Sequence, residues 1–426
     1  MNPEEYLKRE DISGTVNMNQ RHHATGHSQQ LQDILAEHHF CEECIQRLLK
    51  EKEDNTQIRV SVISNASKKK KTKKTDTEEC WLCQDLLKEI PHFTQLIVNV
   101  LHDYEFDTFL VGVRVDGDII QREQDLFVKL GLDQAKDIKT VLKRNIGLAL
   151  EARLKKTVDF DKPTIMIILD TMFDVVDLQI QSLFVYGTYN KFTRDLPQTK
   201  WFCKICQGHG CRICNYTGTL YESSVEERIS SHLLKETGGA DAFVHGSGRE
   251  DIDVRMLGAG RPFVMEVTNP RKRTLDLQRL QVLINTAEQG IIQVQNLRPS
   301  THDEVIRLKS AAYPKVYQAV VTSRKAINKE KLIKAALSLR GKSIQQFTPS
   351  RVAHRRAHLI REKYIFNCTV DAVEGNVAHL TIEAESGTYI KELISGDDGR
   401  TTPSISELMK QPYTVTTLDV IEIKGE

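Results

Sequence analysis

GSGREDIDVRMLGAGRPFVMEVTNP, residues 246–270, joins two unlike kinds of chain. Its first half holds Gly246, Gly248, Gly258 and Gly260 among Arg249, Glu250, Asp251, Asp253 and Arg255, too polar for a core segment. The glycines free the backbone to turn or to approach a ligand. Its second half, RPFVMEVTNP, alternates as a strand does. A charged glycine loop feeding a strand reads as an active-site loop mounted on a sheet, with one carboxylate doing chemistry.

Downstream, QGIIQVQNLRPS, KVYQAVVTSR, REKYIFNCTVDAVEGNVAHLTIEAES and YTVTTLDVIEIKG repeat the strand-like alternation, separated by helical stretches such as NKEKLIKAALSLRG and TPSISELMKQ. Strands dominate, so the fold class is α+β with a largely antiparallel central sheet flanked by helices. Upstream, from Ser223, SVEERISSHLLKETG reads as an amphipathic helix opened by serine, with Glu226 three residues later. Further upstream, FLVGVRVDG and TIMIILD read as strands around the helix AKDIKTVLKRNIGLALEARL, a small α/β unit. QQLQDILAEHHFCEECIQRLLKEK and the segment after Cys83 show helical spacing.

At 426 residues the chain exceeds one compact core and divides into domains. The pattern sets these as an N-terminal extension (1–27), a first domain (28–200) with a lysine-rich loop (65–78), a cysteine-rich hinge (201–222) and a second domain (223–426). A formal net charge of +1 gives no global pull toward nucleic acid, so any polyanion site is local. Local basic clusters are KKKKTKK (68–74), which sits in a polar run and reads as a disordered surface loop, Arg271 to Arg273, and Arg351 to Lys363, which includes Arg355 and Arg356. The start MNPEEYLKRE is no secretory signal, and no run approaches the roughly 20 apolar residues of a membrane span. A cytoplasmic protein with no membrane association is expected.

Eight of the nine cysteines fall in four CxxC pairs, which in a reducing compartment points to metal thiolates. Cys41, Cys44, Cys80 and Cys83 supply two knuckles, the tetrahedral set that structural zinc prefers. His38 and His39 are competing ligands. Cys203, Cys206, Cys211 and Cys214 offer a second, tighter zinc set, with redox activity or a metal-free turn as alternatives. Neither set leaves an open coordination position for catalysis. Cys368 reads as a small buried hydrophobe.

Within the opening motif Asp251, Asp253 and Glu250 remain equal candidates on residue chemistry alone. Arg249 beside Asp251 fits either a structural ion pair or a cation that keeps a catalytic carboxylate ionised. Tyr317 in KVYQAVVT fits a half-buried core aromatic or a stacking platform. Lys391 in GTYIKELISGDDGRTTPSISEL (387–408) fits a snorkelling surface lysine or the partner of a catalytic acid.

Together GSGREDIDVRMLGAGRPFVMEV, TPSRVAHRRAHLIREK and GTYIKELISGDDGRTTPSISEL resemble the archaeal and eukaryotic tRNA pseudouridine synthase family Pus-ten. The resemblance continues through KFTRDLPQTKW and CKICQGHGCRICNYTG, and more loosely through an N-terminal half similar to the family's zinc-bearing THUMP-containing domain. It implies a pseudouridine synthase catalytic domain acting on uridine 54 and/or 55 in the T loop of tRNA without a catalytic cofactor. It implies Asp251 of Gly248-Arg249-Glu250-Asp251 as the catalytic residue, Tyr317 as the stacking tyrosine and Lys391 as the basic partner. Arg249, Tyr389, Arg271, Arg273, Arg355 and Arg356 would face RNA. The implied partner is tRNA, with structural zinc and no protein partner. The alternatives are a non-catalytic zinc-dependent tRNA-binding protein and a sulfur-transfer thiol enzyme, the latter without the glycine-rich ATP loop it would need.

Overall fold

The computed structural model describes residues 33–49, 78–132, 135–353 and 356–425. The N-terminal extension, the lysine run 68–74 and Arg355 lie outside the described residues. The chain forms two compact units that part between Gln179 and Ile180.

In the first unit β1 (Thr108–Arg114), β2 (Thr157–Val158), β3 (Ile165–Asp170) and β4 (Val175–Ile180) stand in the order β2-β1-β3-β4. β1 runs parallel to both β2 and β3. Parallel neighbours need a long crossover, and two helices, Gly117–Leu130 and Ile138–Leu154, lie between β1 and β2 in the chain. Ile138, Leu142, Ile146 and Leu150 of the second recur every four residues and are fully buried, the stripe that the sequence pattern specifies. The first helix was not expected. Its signals are the helical spacing of buried Ile119, Leu126 and Leu130 and its two ends: Asp116 accepts a hydrogen bond from the Asp118 amide, and left-handed Gly131 closes it.

The second unit carries a ten-stranded sheet. Its strands are β5 (Leu183–Lys191), β6 (Asp241–Gly246), β7 (Arg255–Thr268), β8 (Ile292–Ser300), β9 (Lys315–Ser323), β10 (Lys342–Phe347), β11 (Ile360–Glu374), β12 (Val377–Ala384), β13 (Thr401–Thr402) and β14 (Tyr413–Ile423). The order is β13-β10-β11-β12-β9-β14-β7-β5-β8, with β6 pairing β7. Pairing is antiparallel except where β14 meets the start of β7. Helices Val225–Thr237, Leu277–Ala287 and Lys329–Leu339 give Ile229, Leu233, Leu280, Ile284, Leu332 and Leu339 to a core shared with Met265, Val321, Leu380 and Ile382. This is the α+β, mostly antiparallel architecture read from the alternation.

Two boundaries differ from the sequence reading. The first domain was set to end at 200, but β5 pairs antiparallel with both β7 and β8, so the second unit begins ahead of it. The cysteine segment 201–222 therefore follows a strand of the large sheet. The helix Val225–Thr237 is opened by Ser224, which accepts from the Glu227 amide, one position later than expected. Glu226 instead accepts from the Val244 amide at 2.9 Å and ties the helix to β6.

Gly258 and Gly260, read from sequence as room for a ligand, serve the sheet. Both have positive φ, and a Cβ on Gly258 would lie 2.0 Å from the Ile421 carbonyl of β14. A Cβ on Gly260 would lie 2.9 Å from the Tyr189 carbonyl of β5. Gly258→Ala is accordingly expected to lower stability by more than the roughly 1–3 kcal/mol of backbone strain alone. Thermal melting checks this, and an unchanged midpoint would contradict it.

Candidate active site

The loop 247–254 between β6 and β7 is held from beneath by one of its own acids. Glu250 is buried and pairs with equally buried Arg261 of β7 at 2.9 Å. The Tyr189 hydroxyl donates to Glu250 Oε1 at 2.8 Å, and Gln198 Nε2 donates both to that hydroxyl and to the Gly248 carbonyl. Arg261 Nη1 also donates to the Ser247 carbonyl at 2.5 Å. Two charges so completely withdrawn from water depend on each other and on these hydrogen bonds, and removing either typically costs about 3–5 kcal/mol. Glu250 therefore anchors the loop and is shut away from any substrate.

A second clamp comes from the segment after β5. Lys191 is fully buried, and its ammonium donates to the carbonyls of Leu196 at 2.8 Å, Ile252 at 2.9 Å and Asp251 at 3.4 Å. Arg194 donates to the Asp253 carbonyl at 2.6 Å and reaches Asp419 of β14 at 2.7 Å. Arg255 pairs with the same Asp419 at 2.6 Å, so this carboxylate joins β14 to both ends of the clamp. The sequence reading placed KFTRDLPQTKW, residues 191–201, at the end of the first domain and missed this. The available signal was Lys191 at the end of a strand, LFVYGTYNK, that is otherwise without charge.

Held in this way, Asp251 projects its carboxylate to the surface, with its side chain 30% exposed. Arg351 Nη1 lies 2.9 Å from Oδ2 and 3.0 Å from Oδ1, while Arg351 Nε binds Glu392 at 2.7 Å. Burial opposes the Arg351 charge, but the bond to Glu392 and the charges of Glu392 and Asp251 outweigh it and hold the guanidinium firmly protonated. Lys391 Nζ lies 2.8 Å from both oxygens of Asp253 and 3.6 Å from Asp251. Burial works against ionising Asp253, yet Lys391 prevails and holds its carboxyl below the usual range. The structure thus brings Asp251 and Lys391 together, with Asp253 as the nearer partner of the lysine. Arg351 is the cation that engages Asp251, while its chain neighbour Arg249 lies over the Trp201 ring at 5.2 Å.

Tyr317 sits on β9, 8% exposed, opposite Ile382 of β12 and Val420 of β14. Burial pushes its hydroxyl up to about 12, against the nearby Arg261 charge and with that of Asp251, which places Tyr317 in the same electrostatic neighbourhood. Tyr389 is half-buried, with its backbone pinned on both sides by the Gln346 amide at 2.8 and 2.9 Å. Arg271 and Arg273 follow the far end of β7 and are not brought to Asp251. Arg273 donates to the carbonyls of Gln181 and Ser182. Arg356 is exposed.

The cysteines converge as their spacing required. In each of the sets Cys41, Cys44, Cys80, Cys83 and Cys203, Cys206, Cys211, Cys214, the sulfurs lie within 4.8 Å of one another. Separations of 3.6 Å (Cys41 to Cys83) and 3.8 and 3.9 Å in the second set match the roughly 3.8 Å edge of a tetrahedron with 2.3 Å metal–sulfur bonds. The thiols are free, so the donor sets suit a tetrahedral thiophilic ion. His38 stacks on Trp81 at 4.4 Å and stays out of the first set. Cys368 is buried in the core.

Comparison with known proteins fits this geometry. Residues 184–424 match the family model "Pus10, C-terminal", and residues 93–170 match "Pus10 THUMP domain, archaeal". The chain belongs to the archaeal Pus10 tRNA pseudouridine synthase family. It is 38% identical over 359 residues to the tRNA pseudouridine synthase Pus10 of Halorubrum lacusprofundi, covering 82% of this chain and 84% of that one. It is 36% identical over 408 residues to that of Methanosphaera stadtmanae, covering 90% and 95%. Among solved structures, that titled "Crystal Structure of a Cbf5-Nop10-Gar1 Complex" aligns over 56% of this chain and 48% of its own, at 15% identity and a TM-score of 0.30. No described helix is long and apolar enough to cross a membrane.

Burial holds Lys191 at about 8, well under the 10.5 of a free lysine, despite the nearby charges of Glu250 and Asp253. Between those two values the unfolded chain binds the extra proton, so this residue opposes folding below pH 8 and the opposition fades toward pH 10.5. Lys191→Met removes that dependence. The stability of the native protein relative to the variant should rise across this window, by up to about 1.4 kcal/mol per pH unit. Denaturant unfolding at pH 7 and pH 10 measures it, and a pH-independent difference would contradict it.

Proposed function

We propose that this protein isomerises uridine 54 and/or 55 in the T loop of tRNA to pseudouridine, with Asp251 as the catalytic residue. The observation that carries the reading is one carboxylate of the Gly-Arg-Glu-Asp loop, partly exposed, fixed by Arg351 and Lys391, on a loop whose neighbouring acid is buried. Two cations, Arg351 at 2.9 Å and Lys391 at 3.6 Å, fix the Asp251 carboxylate in place, the kind of positioned group a nucleophile or base requires.

The reaction needs little else. The bond from ribose to N1 breaks, the uracil turns, C5 bonds to the ribose, and the C5 proton leaves while N1 gains one. A uridine within a folded T loop must first leave its stack, at a cost of a few kcal/mol. Tyr317 offers the replacement ring, a contribution of roughly 1–3 kcal/mol. Arg355, Arg356 and Tyr389 serve the RNA, and the N-terminal THUMP unit holds tRNA by shape and phosphate. Each tetracysteine set holds a structural zinc; around the second set, where Ile205, Ile213 and Tyr216 are exposed, it would stand in for an apolar core.

Asp251→Ala should abolish pseudouridine formation on an unmodified tRNA transcript while tRNA binding stays within a few-fold. Retained product would sink the assignment, and loss of binding would favour a non-catalytic tRNA-binding role. Metal analysis of the purified chain should give two zinc ions, falling by one in Cys44→Ser and by one in Cys211→Ser. A metal-free, folded protein would contradict the zinc reading.

A further inference from the structure

Lys315 opens β9 and is 6% exposed, yet no carboxylate lies within ion-pair distance of it among the described residues. Its ammonium has three protons. Two are used, on the Tyr313 carbonyl at 3.1 Å and Ser386 Oγ at 3.2 Å. The third has no protein acceptor. The charges facing it are of its own sign: Arg261 of β7, committed to Glu250, and Lys363 of β11, committed to Glu385 at 2.8 Å. Burial, then these two cations, depress Lys315 to about 8. Other buried cations of this unit differ: Arg261 has its acid, and Lys191 has three carbonyl acceptors.

The surroundings of Lys315 suit an arriving anion. Lys315 and Tyr317 are two residues apart on one strand and so share a face of the sheet, roughly 7 Å apart. Gly248 of the catalytic loop lies alongside: a Cβ built there would stand 3.8 Å from Lys315 Nζ and 3.2 Å from Arg261 Nη1. Gly248 has φ +80 and Gly387, beside Lys363, also has φ +80, so two exposed backbone turns without side chains border the cation. A burial cost of several kcal/mol for an uncompensated ammonium is hard to sustain unless a partner arrives in function.

We infer that Lys315 is a phosphate-binding residue, which receives a backbone phosphodiester next to the uridine that stacks on Tyr317. The inference rests on the pseudouridine synthase reading proposed above and adds to it an electrostatic register: the phosphate enters between Gly248 and Gly387 and supplies the counter-charge that the fold omits. Charge-assisted bonds to a phosphate, in a site already stripped of water, are stronger than those made at the surface.

A T-arm RNA hairpin in which single phosphodiesters flanking the target uridine are replaced by neutral methylphosphonates provides the test, with binding and single-turnover pseudouridine formation measured for the native protein and Lys315→Met. For the native protein one neutral linkage should weaken binding about tenfold. Lys315→Met should lose a similar factor on the unmodified hairpin and almost nothing more on that neutral one, while melting no lower than the native protein because a buried charge is gone. Independent, multiplying losses, or a variant that binds the unmodified hairpin within twofold of the native protein, would overturn the inference. If the native protein binds the hairpin but makes no pseudouridine in it, the functional reading fails instead, and the binding comparison still decides whether Lys315 meets a phosphate.

Discussion

The buried pair of Glu250 and Arg261 is the constraint on which the rest of the site depends. Glu250 and Asp251 are consecutive, so burying Glu250 fixes the point on the loop from which the part-exposed Asp251 projects. An ion pair this deep tolerates no loose geometry, because each charge must keep its full set of partners to offset lost hydration. Tyr189 and Gln198 complete the set for Glu250, and Lys191 and Arg194 hold the carbonyls that follow. The loop is thereby a rigid mount with an acid at its tip, although its sequence is dense with glycine and charge.

The sheet distributes this constraint. β5 brings Tyr189 and Lys191, β7 brings Arg261, β9 brings Lys315 and Tyr317, and β14 brings Asp419. These strands are neighbours in the order β9-β14-β7-β5, so the polar groups under the loop come from adjacent strands of one sheet. The cations that reach Asp251 arrive separately: Lys391 from the short helix Ile390–Ser395, and Arg351 from the turn after β10. Site and scaffold are continuous through hydrogen bonds, which is why small errors in loop position would be felt at the carboxylate.

Much of this was legible in the residues. Strand alternation gave the antiparallel sheet, and CxxC spacing gave two four-sulfur clusters. What escaped the reading was pairing at long range. Nothing in local pattern says that Asp251 meets Arg351, a hundred positions away, before its neighbour Arg249, or that Glu250 points inward to Arg261. Consecutive residues on a loop have no fixed period, so which acid is buried is decided by the fold around it. Gly258 and Gly260 show the same limit: their freedom of φ was evident, but only the positions of Ile421 and Tyr189 reveal that backbone contact within the sheet uses it. The helix Gly117–Leu130 was missed although Ile119, Leu126 and Leu130 recur at helical spacing on its buried side, where the stripe is broken by Glu123, an acid that pairs with Arg47.

Environment separates the three neighbouring acids, burying Glu250 and leaving Asp251 and Asp253 part-exposed, and the isosteric amides of the latter two test which one reacts. Single-turnover pseudouridine formation at saturating tRNA would be compared for Asp251→Asn, Asp253→Asn and the native protein. A loss of about a thousandfold or more at Asp251, the scale of removing a reacting group, with less than about tenfold at Asp253, is the predicted result. Equal losses, or a larger loss at Asp253, would mean that the lysine-bound acid is the reactive one and would contradict the account.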